Sequence, residues 1–250
     1  MRYFIELSYN GKAYHGWQNQ PNAISVQEVL EKALTTLLKQ KIGIVGAGRT
    51  DAGVHAMQMF AHFDISNEID FEKLKYNLNS FLPKDIAIHN IFKVNDDAHA
   101  RFDAISRTYI YRISLTKNVF TFNDTYCFKQ TLDINKMNEA TKILLEYKNF
   151  KCFSRSNTDV KTYNCEIMNA AWVIENDELV FTIKANRFLR NMVRAIVGTM
   201  IEIGTGKMKV AQLRDVIKSE DRSQAGASVP GHALYLLKIE YPKHIKALNG

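Results

Sequence analysis

The stretch Gly46–Ala56, GAGRTDAGVHA, sets a guanidinium, a hydroxyl and a carboxylate in direct succession at Arg49, Thr50 and Asp51. Three glycines, Gly46, Gly48 and Gly53, stand around them. Glycine tolerates positive φ and admits a ligand close to the backbone, so this density predicts a shaped loop. A carboxylate two residues from a guanidinium is favoured in its charged form by the nearby positive charge. An ionised, positioned aspartate can act as nucleophile or base. Two other readings compete: a structural turn with a surface Asp–Arg pair, and a dinucleotide fingerprint. The fingerprint is disfavoured, because Asp51 stands where the third glycine belongs and the stretch runs into a strand rather than a helix.

A second group of charges lies at Arg187, Arg190 and Arg194, spaced 0, 3 and 7 along an apolar-periodic segment, Phe188–Ile203. That spacing predicts a basic stripe roughly opposite the apolar face, with no acid interleaved to make a salt-bridged surface. The expectation is a phosphate-contacting face with one arginine turned inward. Tyr109 and Tyr111 share a face of a predicted strand beside Arg107; aromatics on a sheet can stack RNA bases, although core positions are the commoner use and no RNP-type motif is present. His55 and His62 sit at odd offset in a strand, on opposite faces, which argues against a shared metal. The three cysteines, Cys127, Cys152 and Cys165, lack any C-x-x-C spacing and read as buried free thiols.

The elements that must carry these groups follow from periodicity. Tyr3, Ile5, Leu7 and Tyr9 alternate with polar residues as a half-buried strand. Asn10–Asn22 is a loop, and Ser25 with Glu28 is a capping box opening a helix along Val26–Leu38. A short strand fits around Ile42–Val45, another follows the glycine-rich loop, a helix runs from Phe71 to Leu82 before Pro83, and a strand holds Ile86–Ile91. The second half repeats the order: a strand at Arg107–Ser114, a helix at Ile134–Tyr147, a hairpin turning at Asn176-Asp177, the helix Phe188–Ile203, a shorter helix near Val210–Ile217 and a strand at Leu234–Tyr241. Two consecutive β-α-β-β-α-β patterns predict an α+β fold: two RRM-like (ferredoxin-like) domains, 1–104 and 105–250, with antiparallel sheets flanking a basic central cleft.

Composition bounds the partner. The 250 residues include 33 Lys+Arg against 26 Asp+Glu, a net charge of +7, with 46% hydrophobic residues. An ordinary globular composition with a moderate basic excess points to a polyanion, most simply nucleic acid. The opening MRYFIELSYN has no apolar run of signal-peptide length, and no stretch approaches the roughly 18 apolar residues of a membrane span, so the expected location is the cytosol, with no membrane partner.

Five ordered blocks then resemble the TruA family of tRNA pseudouridine synthases across nearly the whole chain. They are Tyr9-Asn10-Gly11 with Gly16-Trp17-Gln18 and Gln20; GRTDAGVHA; ARFDAISRTYIY from Ala100; RFLRNMVRAIVG from Arg187; and VPGHALYL from Val229. The resemblance implies that Asp51 is the catalytic aspartate, attacking the ribose C1′ or the uracil C6 of a uridine. It implies that Arg194 pairs with Asp51, that Tyr109 stacks on the flipped base and is a candidate general base, that Arg49 assists extrusion and that Leu234 packs against the uracil. Arg187 and Arg190 would contact the substrate. The base must leave its stack because a side chain cannot otherwise reach those atoms. The implied substrate is the anticodon stem-loop of tRNA, the implied assembly a homodimer, and no redox, metal or organic cofactor is required. The chain departs from the pattern at Ala233, in place of a glycine beside the uracil-packing leucine, which would narrow the pocket slightly. It departs also at Lys148-Asn149-Phe150 and over Asn157–Tyr163, in a loop expected to touch RNA, which bears on tRNA docking rather than on the reaction. Two rivals remain: a non-catalytic RNA-binding or chaperone protein, and an aspartate-nucleophile phosphotransferase, which would need magnesium and further acids near Asp51.

Overall fold

The computed structural model describes residues 1–156 and 160–246; Asn157 to Asp159, part of the divergent stretch named above, lie outside the described residues. The chain divides into two compact units, Met1–Ser106 with Leu236–Gly250, and Arg107–Tyr235. The fold is mixed α+β, with mostly antiparallel strand pairing.

The first unit runs β1 (Arg2–Tyr9), α1 (Val26–Leu38), β2 (Val45–Gly46), β3 (His55–Asp64), α2 (Phe71–Phe81) and β4 (Ile86–Val94). Its strands lie in the order β4-β1-β3-β2, every neighbour antiparallel. Each helix start is set by a side chain that satisfies an otherwise orphaned amide: Ser25 accepts from the Glu28 N–H at 3.1 Å, and Asp70 from the Lys73 N–H at 3.0 Å. The alternation in β1 predicts a half-buried strand, but Phe4 on the opposite face is fully buried as well. Phe92, His62 and Tyr241 surround its ring, so both faces of β1 are covered at that point.

The second unit comprises β5 (Ser106–Ser114), β6 (Tyr126–Cys127), α3 (Ile134–Leu144), β7 (Ile167–Glu175), β8 (Glu178–Ala185), α4 (Met192–Gly204) and α5 (Gln212–Ser219). β8 lies between β5 and β7, antiparallel to both, and β6 pairs parallel with β5. Asn176 and Asp177 both adopt positive φ, 49° and 64°, which is what a two-residue hairpin turn demands. Trp172 stacks on Phe181 at 4.7 Å, and the Asn138 side chain ties α3 to β7 through the Trp172 N–H and C=O. The chain ends in β9 (Leu234–Glu240) and α6 (Lys243–Lys246); β9 starts in the second unit and runs on beside β3 of the first, where its Ile239 N–H meets Gln58. No helix among the described residues is long and apolar enough to cross a membrane.

The predicted helix Phe188–Ile203 is shorter at its start. Asn191 adopts φ 68°, a left-handed conformation that cannot continue a helix backward, and α4 opens at Met192. Eleven of its 13 residues are buried, leaving Arg194 and Glu202. The predicted basic stripe is therefore not a helix face: Arg187 and Arg190 precede the helix, and only Arg194 lies on it. α3 likewise stops at Leu144, before Tyr147. Of the cysteines, Cys152 and Cys165 are buried, their thiols pushed up by burial to about 12 and about 11, whereas Cys127 is exposed.

Candidate active site

The loop that carries Asp51 is built by the segment 9–17 of the same unit. Gly16 adopts φ 93°, and a Cβ there would fall 2.2 Å from the Thr50 carbonyl oxygen, so only glycine lets the two backbones touch. A Cβ on Gly11 would fall 2.0 Å from the Val54 carbonyl oxygen. Across this close approach the Trp17 N–H donates to the Thr50 carbonyl at 3.3 Å, and the Gly53 N–H donates to the Tyr14 carbonyl at 3.2 Å. The Tyr9 and Thr50 hydroxyls share a hydrogen bond of 2.9 Å. Tyr14 is itself fixed by donating to Asp85 at 2.6 Å; burial, then that bond, raises its hydroxyl above the usual tyrosine range.

Within this frame Thr50 is spent on position, Asp51 is half-buried and Arg49 is exposed. The Asp51 carbonyl accepts from the Val54 N–H at 3.2 Å, closing the turn in which Gly53 takes φ 75°. Gly48 differs from its neighbours: its φ is not positive, and a Cβ would meet nothing within 4 Å. His55 and His62 are buried and serve backbone amides, His55 Nδ1 accepting from the Gly11 N–H and His62 Nδ1 from the Ala100 N–H. No group of three or more potential metal ligands occurs among the described residues.

In the second unit, Arg194 and Leu234 flank one irregular segment, Val229 and Pro230, and the other sequence-predicted residues lie elsewhere. Arg194 on α4 donates from Nε to the Val229 carbonyl at 2.7 Å, and its own carbonyl accepts from the Val229 N–H at 3.3 Å. Tyr111, fully buried on β5, donates to the Pro230 carbonyl at 3.0 Å, and burial raises its hydroxyl far above the usual range. It belongs to the core. Tyr109, two residues earlier, is half-buried and meets Phe188 edge to face at 5.2 Å. From the clamped segment the chain makes one 3-10 turn, Gly231–Ala233, and delivers Leu234 at the start of β9. Ala233 is fully buried there. Arg187 is half-buried and Arg190 exposed in the irregular segment before α4, where the Arg190 carbonyl accepts from the Arg155 N–H.

Sequence reasoning singled out candidate side chains but not what positions them. Tyr9 and Trp17 belong to the first motif block and Tyr14 lies between its two halves; their only signal was the glycines set between them. Such a frame, holding a half-buried carboxylate beside an exposed arginine, suits covalent or acid–base work on a bound substrate.

Comparison with known proteins agrees with that class. The model of the tRNA pseudouridine synthase family matches residues 7–103 and 140–242. The chain belongs to this family, whose members are isomerases converting uridine to pseudouridine in tRNA. Among its relatives, tRNA pseudouridine synthase A of Parabacteroides distasonis is 53% identical over 98% of this chain and 97% of its own length. The protein of the same name from Bacteroides fragilis is 52% identical over 98% of both. That of Thermoanaerobacter sp. strain X514 is 40% identical over 95% of this chain and 98% of its own.

Proposed function

We propose that this isomerase acts on uridines of the tRNA anticodon stem-loop and that Asp51 is its nucleophile. The observation that carries the reading is the loop frame: two close backbone approaches and three hydrogen bonds hold Thr50, Gly53 and Val54, so the carboxylate among them meets substrate without reorganising. The Asp51 carboxylate forms a bond to C1′ or C6 of an extruded uridine, and the C1′–N1 bond breaks with its electron pair left on N1. The trapped uracil turns, C5 joins C1′, the bond to Asp51 breaks and returns the carboxylate, and the C5 proton leaves while N1 gains one. Arg49, exposed next to Thr50, takes the place of the extruded nucleotide in the stem. Tyr109 stacks on the uracil and takes the proton, Leu234 packs against the ring, Arg194 supplies positive charge to the reacting site, and Arg187 and Arg190 meet phosphates. Both units are read as RRM-like. The support for the first is its all-antiparallel order β4-β1-β3-β2, with α1 and α2 as the crossovers.

The test is tritium release from tRNA labelled at uracil C5, in the presence of EDTA, for wild type and Asp51→Ala. Release by wild type alone assigns Asp51 and a metal-independent reaction. Equal release by the variant removes Asp51 from the chemistry, and release lost from wild type in EDTA points to a metal.

A further inference from the structure

Between α5 and β9 the chain forms a strap, residues 225–230, that has no regular structure and leads directly to Leu234. It lies hard against α4: a Cβ on Gly198 would fall 1.8 Å from the Ala227 carbonyl oxygen, and the Gly226 N–H donates to the buried Thr199 hydroxyl at 2.9 Å. Strap residues 227–230 also line a cavity of about 220 Å³ with Tyr126 and Phe128, so packing alone does not fix them. Hydrogen bonds do. Arg194 and Tyr111 hold its downstream end at Val229 and Pro230.

The upstream end, besides the Gly226 bond to Thr199, is held by a guanidinium. Arg222 donates from Nη1 to the Ala225 and Gly226 carbonyls, each at 3.1 Å, and from Nη2 to the Ser228 hydroxyl at 2.8 Å. The same hydroxyl accepts from Asn191 Nδ2 at 2.7 Å, directly before α4. Three acceptors on residues 225, 226 and 228 match the fixed planar fork of an arginine, a pattern that the point charge of a lysine does not reproduce.

We propose that Arg222 is a positioning residue for the isomerisation, acting through Ser228 and the strap to set Leu234 against the uracil. The proposal rests on the role given to Leu234 above. Arg222 touches no substrate in this scheme; its effect is on the chemical step and not on tRNA capture.

The experiment is steady-state tritium release from C5-labelled tRNA by Arg222→Ala, Ser228→Ala, the double variant and Leu234→Ala, normalised to folded protein. For Arg222→Ala kcat should fall by about tenfold or more with KM for tRNA within about threefold of wild type, since small displacements at a reacting centre are costly. Ser228→Ala should lose less, and the double variant should be no worse than Arg222→Ala, because both act through one connection. Methylguanidinium should restore part of the kcat of Arg222→Ala and leave wild type unchanged. A kcat within about twofold of wild type, or a loss confined to KM or to melting temperature, overturns the proposal. If Arg222→Ala does not fold, Arg222→Lys and Ser228→Ala decide it by the same criteria. Unimpaired turnover by Leu234→Ala overturns the underlying reading instead; impaired Leu234→Ala beside unimpaired Arg222→Ala overturns only the role of Arg222.

Discussion

Around Asp51 the backbone is held by what is missing: Gly11 and Gly16 carry no side chain, and the segment 9–17 lies against residues 50–54 at distances that a Cβ would forbid. Around Leu234 the irregular strap is held chiefly by what reaches it, the long side chains of Arg194, Tyr111 and Arg222 arriving from α4, β5 and the turn after α5. The first arrangement is stiff because steric contact has no alternative geometry. The second joins one close approach, Gly198 against the Ala227 carbonyl, to side-chain hydrogen bonds, each worth about 1 kcal/mol net yet costing more when a buried partner is orphaned.

The contrast predicts unequal sensitivity. Gly16→Ala should be the most damaging substitution, combining roughly 1–2 kcal/mol for a left-handed alanine with roughly 1–3 kcal/mol for overpacking against Thr50. Denaturant unfolding should show the loss and tritium release should be nearly abolished; a stable, active Gly16→Ala would show the close approach to be dispensable. Acid should be the next largest perturbation and should loosen the first unit. His62 is held down to about 4, first by burial, then by the charges of Arg2 and His99, whereas an unfolded histidine titrates near 6.5. Between these values the unfolded chain binds more protons than the folded one, so stability is complete above about pH 6.5 and declines as pH falls toward about 4. Lowered His99 acts in the same direction. In chemical denaturation across that window, His62→Gln should flatten the decline.

In the second unit, Thr199→Val deprives the buried Gly226 N–H of its acceptor and should cost about 1–3 kcal/mol. Its effect on turnover should be larger than its effect on tRNA affinity, as expected if the strap serves the reacting base. Tyr9→Phe removes only the hydroxyl pair with Thr50 and should cost about 1 kcal/mol by the same measurement. Gly48→Ala should be neutral within about 0.5 kcal/mol, because its φ is not positive and the added methyl meets nothing. A damaging Gly48→Ala would mean that the loop is constrained by substrate rather than by the fold, which melting with and without tRNA would separate.

Local patterns made most elements legible, since a strand, a cap or a two-residue turn depends on neighbours a few positions away. Ser25 caps α1, Pro83 follows α2, and Asn176-Asp177 turns the hairpin, all as adjacent residues dictate. The motif residues of the candidate site were legible too, because Arg49, Thr50 and Asp51 are contiguous and the glycines mark a shaped loop. The errors arose where distant contacts overrode local periodicity. The apolar spacing around Phe188 continues smoothly through Asn191, yet the left-handed Asn191, whose side chain bonds to Ser228, starts α4 late and removes Arg187 and Arg190 from it. Phe4 reads as part of an exposed face until Tyr241, from the far end of the chain, covers it.

The chain order of residues therefore suffices for the family, the kind of reaction and a set of candidate side chains, because these reside in contiguous motifs. Which tyrosine is fully buried and which half-buried, which glycines lie at close backbone approaches and which does not, and what holds the segment before Leu234 were decided only by the tertiary structure. Those properties belong to pairs of residues such as Gly16 with Thr50, Tyr111 with Pro230 and Arg194 with Val229, whose separation along the chain leaves no local trace.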